Sequence, residues 1–542
     1  MKKRFMEFLL LVICMTIGGL ISIYLGQATD EFDVYNYHIY APWAFFNGRI
    51  TVDILPAGIR SYFNPILNIP YFLLIKYFNN LPLLVGFIQG FWWGAIVFCG
   101  YKTASLFEFE DEFTKYLFRF SAALMTGISP IILFLCGTVY IDLHVAVLIL
   151  SGLYFYLKTI FKPCGSNFVI PLMLSGFLFG AVSGLKLTSN LMIAGIFLSS
   201  LFMIKHINKP FRVFLLTTAG FLSGFFIING YWYFKVWTAF SNPFFPYFNN
   251  IFHSPFGSEK LIVNDSYVKV TLAGFVEKLI YPFSSYFNKD ISFGSWLFKY
   301  NDICIPLGVF AVMFLFVRDW FYLKKEKSYN DKILMFMVLF TVFTYLIWLN
   351  TTPVIRYIVP VIVFNCILIL YILYLISKKL DKKFIKILFF IVPLIVMLLC
   401  SKIDIGYGRK TFDYQVFETV KYKIADNAVV LLASQKTSYL IPFLNKNAKY
   451  VYMIVPEHVN ISDGAFAYNN RTIDYYYSDY YAKYIKDLLK QNQKLYLIFN
   501  RKAFEKEFAI YEQSLIYYVG DKLSLRCSYV DSYSGICRII GY

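Results

Sequence analysis

The amino-acid sequence predicts a polytopic α-helical membrane protein with a small C-terminal extracytoplasmic α/β domain. Three observations predict this fold class. The chain of 542 residues is 58% hydrophobic and 21% aromatic, only 15% of it is charged, and its mean hydropathy is +0.57. Apolar runs of about twenty residues, the length that crosses a bilayer, recur up to residue 400. After residue 401 the pattern changes to short runs of Val, Leu, Ile and Tyr between polar segments.

The formal net charge of +18 reflects membrane topology rather than nucleic-acid binding. Lys and Arg occur in short clusters between apolar runs, as in loops that stay on the cytoplasmic side of a membrane. A nucleic-acid-binding domain instead gathers its cations on one face or along one helix. We therefore expect membrane lipids, and no nucleic acid, among the partners.

The first apolar segment, KKRFMEFLLLVICMTIGGLISIYLG, is predicted to be a retained membrane helix. It has the charged start and apolar middle of a signal peptide, but no small-residue cleavage site follows it. The apolar piece at 64–78 contains two prolines and a lysine, which favours a helix at the membrane surface. About eleven spans result. They cover residues 5–25, 81–105, 116–136, 142–160, 167–185, 187–205, 211–233, 303–320, 332–350, 357–376 and 384–400.

The basic clusters set the predicted orientation. They fall on one side of the membrane if the spans alternate, and the positive-inside rule makes that side the cytoplasm, together with the N-terminus. The clusters are Lys2 to Arg4, Lys158 and Lys162, Lys205 to Arg212, Arg318 to Lys327, and Lys378 to Lys386. The outer parts are then residues 26–80, 234–302 and the whole tail. Richness in Lys, Asn and Tyr favours a bacterial inner membrane.

The tail at 401–542 is predicted to be the α/β domain, and residues 1–400 the transmembrane domain. Strands are expected at AVVLLAS, KYVYMIV and KLYLIF, and a helix at SDYYAKYIKDLLKQNQ. A disulfide between Cys527 and Cys537 would require an oxidising compartment. The other cysteines lie in or beside apolar runs without CxxC or Cys/His spacing, which argues against a zinc site.

The stretch TDEFDVYNYHIYAPWAFFNGRITVDILPAG at 29–58 is the first candidate site. Its carboxylates and aromatic side chains are Asp30, Asp33, Asp53, Tyr35, Tyr37, Tyr40 and Trp43, and His38 lies among them. A carboxylate at the membrane surface can act as a general base on a hydroxyl, and neighbouring rings suit the apolar faces of a sugar. An ordinary solvated loop with an interfacial aromatic belt explains the same residues.

Three further places carry polar groups at the outer ends of spans. Asp142 and His144 lie in GTVYIDLHVAV, where they are supporting polar groups, metal ligands, or a carboxylate that complements a helix dipole. Lys186 lies in GFLFGAVSGLKLTSN, where Gly180 and Gly184 allow close helix approach.

Lys186 is on the outer side against the positive-inside trend, which indicates phosphate binding, with snorkelling as the alternative. Arg356 in NTTPVIRYIVP is a second cation for an anionic headgroup, beside Tyr357. A structural pairing of Arg356 with an acid such as Asp302 is the alternative.

These segments resemble the GT-C superfamily of multispan glycosyltransferases, and in particular a poorly characterised bacterial group. The matching pieces, in the same order, are DEFDVYNYHIYAPWAFFNGRITVD followed by SYFNP, then GLKLTSN, then GYWYFKVWTAFSNPFFPYFNNIFHSP, and then RYIVP. The resemblance runs from residue 1 to about residue 410, and NPFFPYFN is its most specific part.

The resemblance implies an inverting glycosyltransferase. Such enzymes move a sugar from a polyprenyl-phosphate-linked donor to a hydroxyl of a glycan, lipid or protein acceptor at the outer face of the membrane. It implies that Asp33 is the catalytic base, with Asp30 as its rival. The substrate- and phosphate-binding candidates are Lys186, Arg356, His38, Asp142 and Tyr37. A divalent metal is an alternative that would bring Asp33, Asp142 and Asp265 together.

Two other functions compete with this one. An O-antigen-type polysaccharide polymerase or ligase also has many spans and a large outer loop, but relies on arginines rather than on a carboxylate-rich first loop. A transporter of lipid-linked saccharides would carry polar pairs in mid-span and inverted repeats. The sequence contains neither of these features.

Overall fold

The computed structural model describes most of the chain. The described residues are 2–28, 32–162, 168–257, 274–287, 300–321, 328–378, 383–403, 409–418, 422–433, 436–453, 479–491, 494–500, 515, 519, 524–529 and 534–540. They form two compact units. The first unit combines Met1–Thr29, Leu83–Asn229 and Asn264–Phe412, and the second combines Asp30–Pro82, Gly230–Val263 and Asp413–Tyr542.

Helices make up most of the described residues. The α-helices are α1 (Lys2–Leu25), α2 (Tyr40–Phe46), α3 (Ile69–Phe78), α4 (Pro82–Ala104), α5 (Glu112–Ile128), α6 (Pro130–Phe134), α7 (Asp142–Ile160), α8 (Val169–Leu185), α9 (Asn190–Phe202), α10 (Pro210–Phe240), α11 (Asn249–Phe252), α12 (Phe275–Phe287), α13 (Cys304–Phe321), α14 (Tyr329–Thr351), α15 (Val359–Ser377), α16 (Lys383–Cys400) and α17 (Asp479–Lys490). A π-helical turn spans Val34–His38, and 3₁₀ turns include Gly58–Tyr62, Ile355–Ile358 and Ser438–Phe443.

Six described helices are long and apolar enough to cross a membrane. They are Arg4–Leu25, Pro82–Ala104, Asp142–Ile160, Pro210–Phe240, Tyr329–Thr351 and Ile355–Ser377. Shorter apolar helices are Ile66–Phe78, Val169–Leu185, Leu187–Phe202, Cys304–Arg318 and Lys386–Cys400. The mostly helical architecture is thus confirmed, and the total of about eleven spans stays a prediction.

The predicted span at 116–136 is wrong, because the helix breaks inside it. Helix α5 ends at Ile128, Ser129 is extended (φ −56°, ψ 127°), and Pro130 begins the short α6. Proline disfavours the helical region for the residue before it and has no N–H to continue a helix. The Ser-Pro pair therefore ends α5 at this point.

Two glycine-bearing helices of the first unit cross with their backbones in contact. A Cβ on Gly180 of α8 would lie 1.9 Å from the Phe221 carbonyl oxygen of α10, and one on Gly176 would lie 2.1 Å from that of Thr217. From the other side, a Cβ on Gly224 would lie 2.0 Å from the Phe177 oxygen. Small residues four apart allow this approach between helices. The crossing fixes α8 immediately before Lys186.

The second unit contains a five-stranded sheet. The first unit contains two short strand pairs: β1 (Gln27–Ala28) pairs with β4 (Arg409–Lys410), and β2 (Tyr300–Asn301) pairs with β3 (Lys402–Ile403). The strands of the five-stranded sheet follow them in chain order. They are β5 (Val429–Leu432), β6 (Lys449–Tyr452), β7 (Leu495–Asn500), β8 (Ser524–Tyr529) and β9 (Ser534–Ile540), in the order β6-β5-β7-β9-β8.

The sheet is parallel on one side and antiparallel on the other. Strands β6 and β7 pair parallel with β5, and β9 pairs antiparallel with β7 and β8. The three strands expected in the tail and the helix expected between the second and third are all present, the helix as α17. A disulfide joins Cys527 and Cys537, which face each other on β8 and β9.

The first outer loop adds to this sheet at its β6 edge. Ile54 forms a parallel bridge with Val451, its N–H donates to the Tyr450 carbonyl at 2.8 Å, and its carbonyl accepts from Tyr452 N–H at 2.8 Å. Asn79 then pairs with Phe417 through two hydrogen bonds, of 2.8 and 3.0 Å. The opening loop and the tail therefore fold as one structure.

The helix crossing predicts a strong effect of a single methyl group. We expect Gly180→Ala to lower the free energy of unfolding by about 1–3 kcal/mol, because the added Cβ forces the two backbones apart. Thermal unfolding of the detergent-purified chain measures it. Gly274→Ala is the control, since a Cβ there meets nothing within 4 Å. Equal stability of the two variants would contradict the crossing.

Candidate active site

Three charged side chains from distant parts of the sequence meet in the first unit. Lys186 Nζ lies 2.5 Å from Asp142 Oδ1, and Arg356 Nε lies 3.1 Å from Asp142 Oδ2. The Asp142 side chain is 3% exposed, whereas those of Lys186 and Arg356 are 17% and 16% exposed. We call these three residues the Asp142 cluster. One buried carboxylate is thus shared by two more accessible cations.

Each member of the Asp142 cluster stands where a helix begins or ends. Asp142 is the first residue of α7, where a carboxylate complements the positive end of the helix dipole. Lys186 follows α8 directly and is extended (φ −147°, ψ 107°), so it ends that helix. Arg356 lies in the 3₁₀ turn between α14 and α15. Because the three charged residues lie at helix ends, they do not interrupt the apolar part of any helix.

Aromatic rings border the two cations. Lys186 Nζ lies 4.5 Å from the centre of the Tyr357 ring, and Arg356 Cζ lies 4.2 Å from that of Tyr140. Cations at such distances are attracted by the ring face, which orients them without neutralising them. The cluster therefore carries one more positive than negative charge, an arrangement that suits an anion such as phosphate.

The structure shows the contacts of two neighbouring polar groups, Asp302 and His144. Arg356 pairs with Asp142 and not with Asp302, whose carboxylate instead accepts from the Ser129 hydroxyl at 2.6 Å and from Cys304 N–H at 2.9 Å. The His144 ring lies 3.8 Å from that of Trp92, centre to centre. His144 is therefore packed on an aromatic surface next to the cluster.

Within the described part of the chain, no three His, Cys, Asp or Glu side chains come together as a metal site would require. Asp142 is already flanked by two cations, which does not suit a divalent metal ion. Asp265 lies outside the described residues. A metal requirement stays untested.

Asp33 lies in the second unit, directly before the π-helical turn Val34–His38. Its Oδ1 is 3.9 Å from Arg60 Nε, which is an ionic contact but too long for a hydrogen bond. The Asp33 side chain is 14% exposed and that of Arg60 is 31% exposed. Asp30 lies outside the described residues. Asp33 is thus near a cation and partly open to solvent.

The other candidates of the opening stretch are packed inside the second unit. His38 is 1% and Tyr37 is 8% exposed, and their rings lie 4.5 Å apart. Tyr37 also lies 5.5 Å from the Phe63 ring. These two side chains shape the turn that follows Asp33, whereas Lys186, Arg356 and Asp142 form the cluster of the first unit.

Asp53 has a structural role. It accepts from Tyr450 N–H, Tyr40 hydroxyl and Arg49 Nε, each at 3.0 Å, and a second Arg49 nitrogen pairs with its other oxygen. Arg49 also donates to the Lys446 carbonyl at 2.8 Å. Burial raises the pKa of Asp53, and these donors counteract the shift. This network fastens the opening loop to β6.

Sequence reasoning missed Arg49 and Arg60. Arg49 stands four residues before Asp53, a spacing that brings opposite charges together on a helical turn. Arg60 is a cation in a predicted outer loop, against the positive-inside trend. The argument that singled out Lys186 would have identified Arg60 as well.

No family model matches the chain, and no curated protein matches its sequence. Several solved structures match the chain in fold. The crystal structure of ArnT from Cupriavidus metallidurans bound to undecaprenyl phosphate matches with a TM-score of 0.51 and 12% identity, covering 98% of this chain and 97% of that one. The Archaeoglobus fulgidus oligosaccharyltransferase in complex with Zn and sulfate matches with a TM-score of 0.52 and 13% identity, covering 95% and 72%. Both are GT-C glycosyltransferases.

The chain shares its fold with these two proteins. The archaeal oligosaccharyltransferase AglB from Archaeoglobus fulgidus, in complex with an inhibitory peptide and a dolichol-phosphate, also matches, with a TM-score of 0.51 and 12% identity over 96% of this chain and 72% of that one. The likeness expected from the opening loop and from NPFFPYFN is confirmed at the level of fold. Fold alone assigns no chemistry to a residue, so the roles of residues in this chain depend on its own geometry.

The Asp142 cluster predicts that an anion can replace the carboxylate. We expect Asp142→Asn to lower the free energy of unfolding by about 3–5 kcal/mol, because two cations lose their partner. Millimolar sulfate should restore more stability to this variant than it adds to the native chain. Thermal unfolding at several sulfate concentrations measures both effects. Glu108→Gln, which removes an exposed partner of Lys162, is the control. An equal response of native and Asp142→Asn protein to sulfate would contradict the prediction.

The Asp53 network predicts a second stability effect. Arg49→Met should destabilise the second unit by about 3–5 kcal/mol, because it leaves a buried carboxylate without its cation. Hydrogen exchange at the Tyr450 and Tyr452 amides should accelerate in this variant. Arg526→Met on the exposed face of β8 is the matched control. Unchanged exchange at these amides would show that Arg49 does not hold the loop.

Proposed function

We propose that this chain is an inverting glycosyltransferase that moves a sugar from a polyprenyl-phosphate-linked donor to a hydroxyl acceptor. The observation that carries the proposal is the Asp142 cluster, where two partly exposed cations share one buried carboxylate. The GT-C fold supports it, because the matching structures include ArnT bound to undecaprenyl phosphate and AglB in complex with a dolichol-phosphate.

The cations are assigned to the donor phosphate. When the glycosidic bond to the phosphate breaks, negative charge grows on the departing oxygen. Lys186 supplies a compact ammonium and Arg356 a planar guanidinium, which together can hold several phosphate oxygens. Positive groups fixed in advance near a developing charge stabilise the transition state more than the ground state. Lys186 and Arg356 thus promote departure of the lipid phosphate.

Asp33 is assigned as the base. Its carboxylate takes the proton of the acceptor hydroxyl, the oxygen forms a bond to the anomeric carbon, and the bond from that carbon to the phosphate oxygen breaks. Attack opposite the leaving group inverts the anomeric configuration. The Asp33 side chain is 14% exposed and lies 3.9 Å from Arg60 Nε, so a substrate hydroxyl can reach it beside a cation.

The reaction is assigned to the outer face of a bacterial inner membrane. The Cys527–Cys537 disulfide supports this side for the tail, because disulfides persist in oxidising compartments. The distribution of Lys and Arg supports a cytoplasmic N-terminus. The acceptor is a glycan, a lipid or a protein presented at that face.

Transfer assays test the proposal. The native chain in membranes should move radiolabelled sugar from at least one member of a panel of polyprenyl-phosphate sugars to membrane glycan. Asp33→Asn should lower the rate about 10²- to 10⁴-fold, the usual contribution of a general base. Lys186→Met and Arg356→Met should each lower it about 10²- to 10³-fold, because each removes one positive group from the leaving phosphate.

Lys162→Gln is the control for the two cation variants, because that lysine forms an exposed ion pair with Glu108 and a contact with the Tyr329 ring, neither of which involves the Asp142 cluster. Its rate should equal that of the native chain at matched expression. If Asp33→Asn transfers sugar at the native rate, the base is wrongly assigned. If the native chain turns over no donor and instead lengthens or ligates a lipid-linked glycan, the polymerase or ligase function replaces this one.

A further inference from the structure

The loop at 241–257 in the second unit has polar side chains inside and apolar side chains outside. Its sequence, SNPFFPYFNNIFHSPFG, contains no Asp, Glu, Lys or Arg. The Asn242 and Asn249 side chains are buried, whereas Phe248 and Ile251 are 52% and 63% exposed. A loop that is surrounded by water usually has the opposite arrangement. This loop is therefore suited to apolar surroundings.

The two buried asparagines hold the 241–257 loop together. The Asn249 amide nitrogen donates to the Ser254 carbonyl at 3.1 Å and to the Gly257 carbonyl at 3.0 Å. The Asn249 oxygen accepts from Ser254 N–H at 2.9 Å. Asn242 donates to the Tyr247 carbonyl at 2.9 Å. Each of these bonds satisfies a backbone group without water, which a segment in contact with lipid requires.

The short helix α11 places the exposed apolar side chains of this loop on one side. Phe248, Ile251 and Phe252 are spaced three and four residues apart, so they share a helix side, while Asn249 points into the loop. Phe248 (φ +57°) and His253 (φ +52°), before and after the helix, are left-handed. Bulky residues rarely adopt this conformation. The hydrogen bonds of the loop hold them in it, which fixes the direction of the apolar side.

Helix α10, directly before the loop, indicates what surrounds it. This helix is long and apolar enough to cross a membrane. Exposed aromatic side chains follow one side of its last turns, at Tyr231, Phe234 and Trp237, and Lys235 Nζ lies 5.6 Å from the Tyr231 ring centre. Aromatic side chains with a lysine at the end of a span are typical of the membrane–water interface. The 241–257 loop therefore begins at the membrane surface.

We infer that the 241–257 loop inserts Phe248, Ile251 and Phe252 into the bilayer, at the boundary between lipid headgroups and acyl chains. Phospholipid is the occupant of this surface, because the loop has no formal charge and continues directly from a helix that can cross the membrane. An exposed apolar patch of this kind marks a contact with a membrane or a protein, and the aromatic end of α10 favours the membrane.

The lipid contact has a consequence for the opening loop of the same unit. The Tyr62 ring lies 4.5 Å from the Phe240 ring and 5.4 Å from the Phe245 ring, centre to centre. Tyr62 ends the 3₁₀ turn that contains Arg60, the ionic partner of Asp33. The opening loop thus packs against the lipid-inserted segment. This consequence rests on the proposed function: the base is kept at the membrane surface, where a lipid-linked donor lies.

Photocrosslinking of the purified full chain tests the inference. The chain is reconstituted in nanodiscs of phosphatidylethanolamine and phosphatidylglycerol, with Phe248 or Ile251 replaced by the photoreactive residue benzoylphenylalanine. Mass spectrometry measures the lipid adducts. The control position is Tyr484, an exposed aromatic residue on the charged helix α17 of the same unit. We expect at least about tenfold more lipid adduct at Phe248 and Ile251, because removing a large apolar side chain from water is favourable by at least that factor.

Two neighbouring asparagines test how the apolar side is held outward. Asn249→Ala should accelerate hydrogen exchange at the Ser254 amide at least about tenfold in the same nanodiscs, because that N–H and two carbonyls lose their partner. Asn250→Ala is the matched control, since Asn250 is exposed, and its exchange should equal that of the native chain. If both variants exchange alike, Asn249 does not hold the loop and the surface proposed for lipid is not built as described.

Two crosslinking outcomes would overturn the inference. One is lipid adduct at Phe248 and Ile251 that is no more abundant than at Tyr484. The other is adduct that joins two copies of the chain, or the chain and another protein, in place of lipid, which would make this surface a protein interface. Crosslinking needs neither donor nor acceptor. If lipid adducts form but no donor supports transfer, the lipid contact stands and the proposed reaction falls; transfer without adducts means the reverse.

Discussion

The ion pairs of the buried Asp142 carboxylate with Lys186 and Arg356 connect the helix ends of the first unit. A charge at this depth is costly to desolvate, and its cost is offset only when partners lie close and well oriented. Lys186 donates a hydrogen bond to Asp142 and Arg356 forms a close ion pair with it, and the two cations come from the end of α8 and from the turn between α14 and α15. One carboxylate thus joins three helix ends. The glycine crossing of α8 and α10 belongs to the same arrangement, because it fixes the helix that ends at Lys186.

The Asp53 network and the Asp142 cluster differ in their balance of charge. Asp53 accepts from Arg49, Tyr450 N–H and Tyr40, and Arg49 is in turn held by carbonyl groups of the tail. The hydrogen bonds of Asp53 and Arg49 are made within the protein, so this network fastens the opening loop to the tail. The Asp142 cluster has two cations for one carboxylate, and Asp33 has a partner beyond hydrogen-bond distance. A surplus of positive charge, as in the Asp142 cluster, suits the binding of an anion.

The sequence predicted local features well and distant pairings poorly. Apolar length and β-type composition depend on neighbours in the chain, so α7 begins and ends where predicted and β5, β6 and β7 appear in the expected segments. The break at Ser129 was not predicted, although Pro130, which restricts the residue before it, indicates it locally. The positive-inside rule found Lys186 and Arg356. It gave no partner for them, because no periodicity links Asp142 to Arg356 or Ile54 to Val451.

The shared carboxylate also bears on how the cations would act in catalysis. In the resting protein, Asp142 holds Lys186 and Arg356 in position and competes with any anion for them. A phosphodiester donor carries one negative charge and competes weakly. Once the glycosidic bond begins to break, the phosphate gains charge and competes strongly. Interactions that strengthen only as the bond breaks raise the rate without tightening the ground state. Under the proposed function, a cluster with an internal counterion would favour the departing phosphate over the intact donor, which two unpaired cations would bind too tightly.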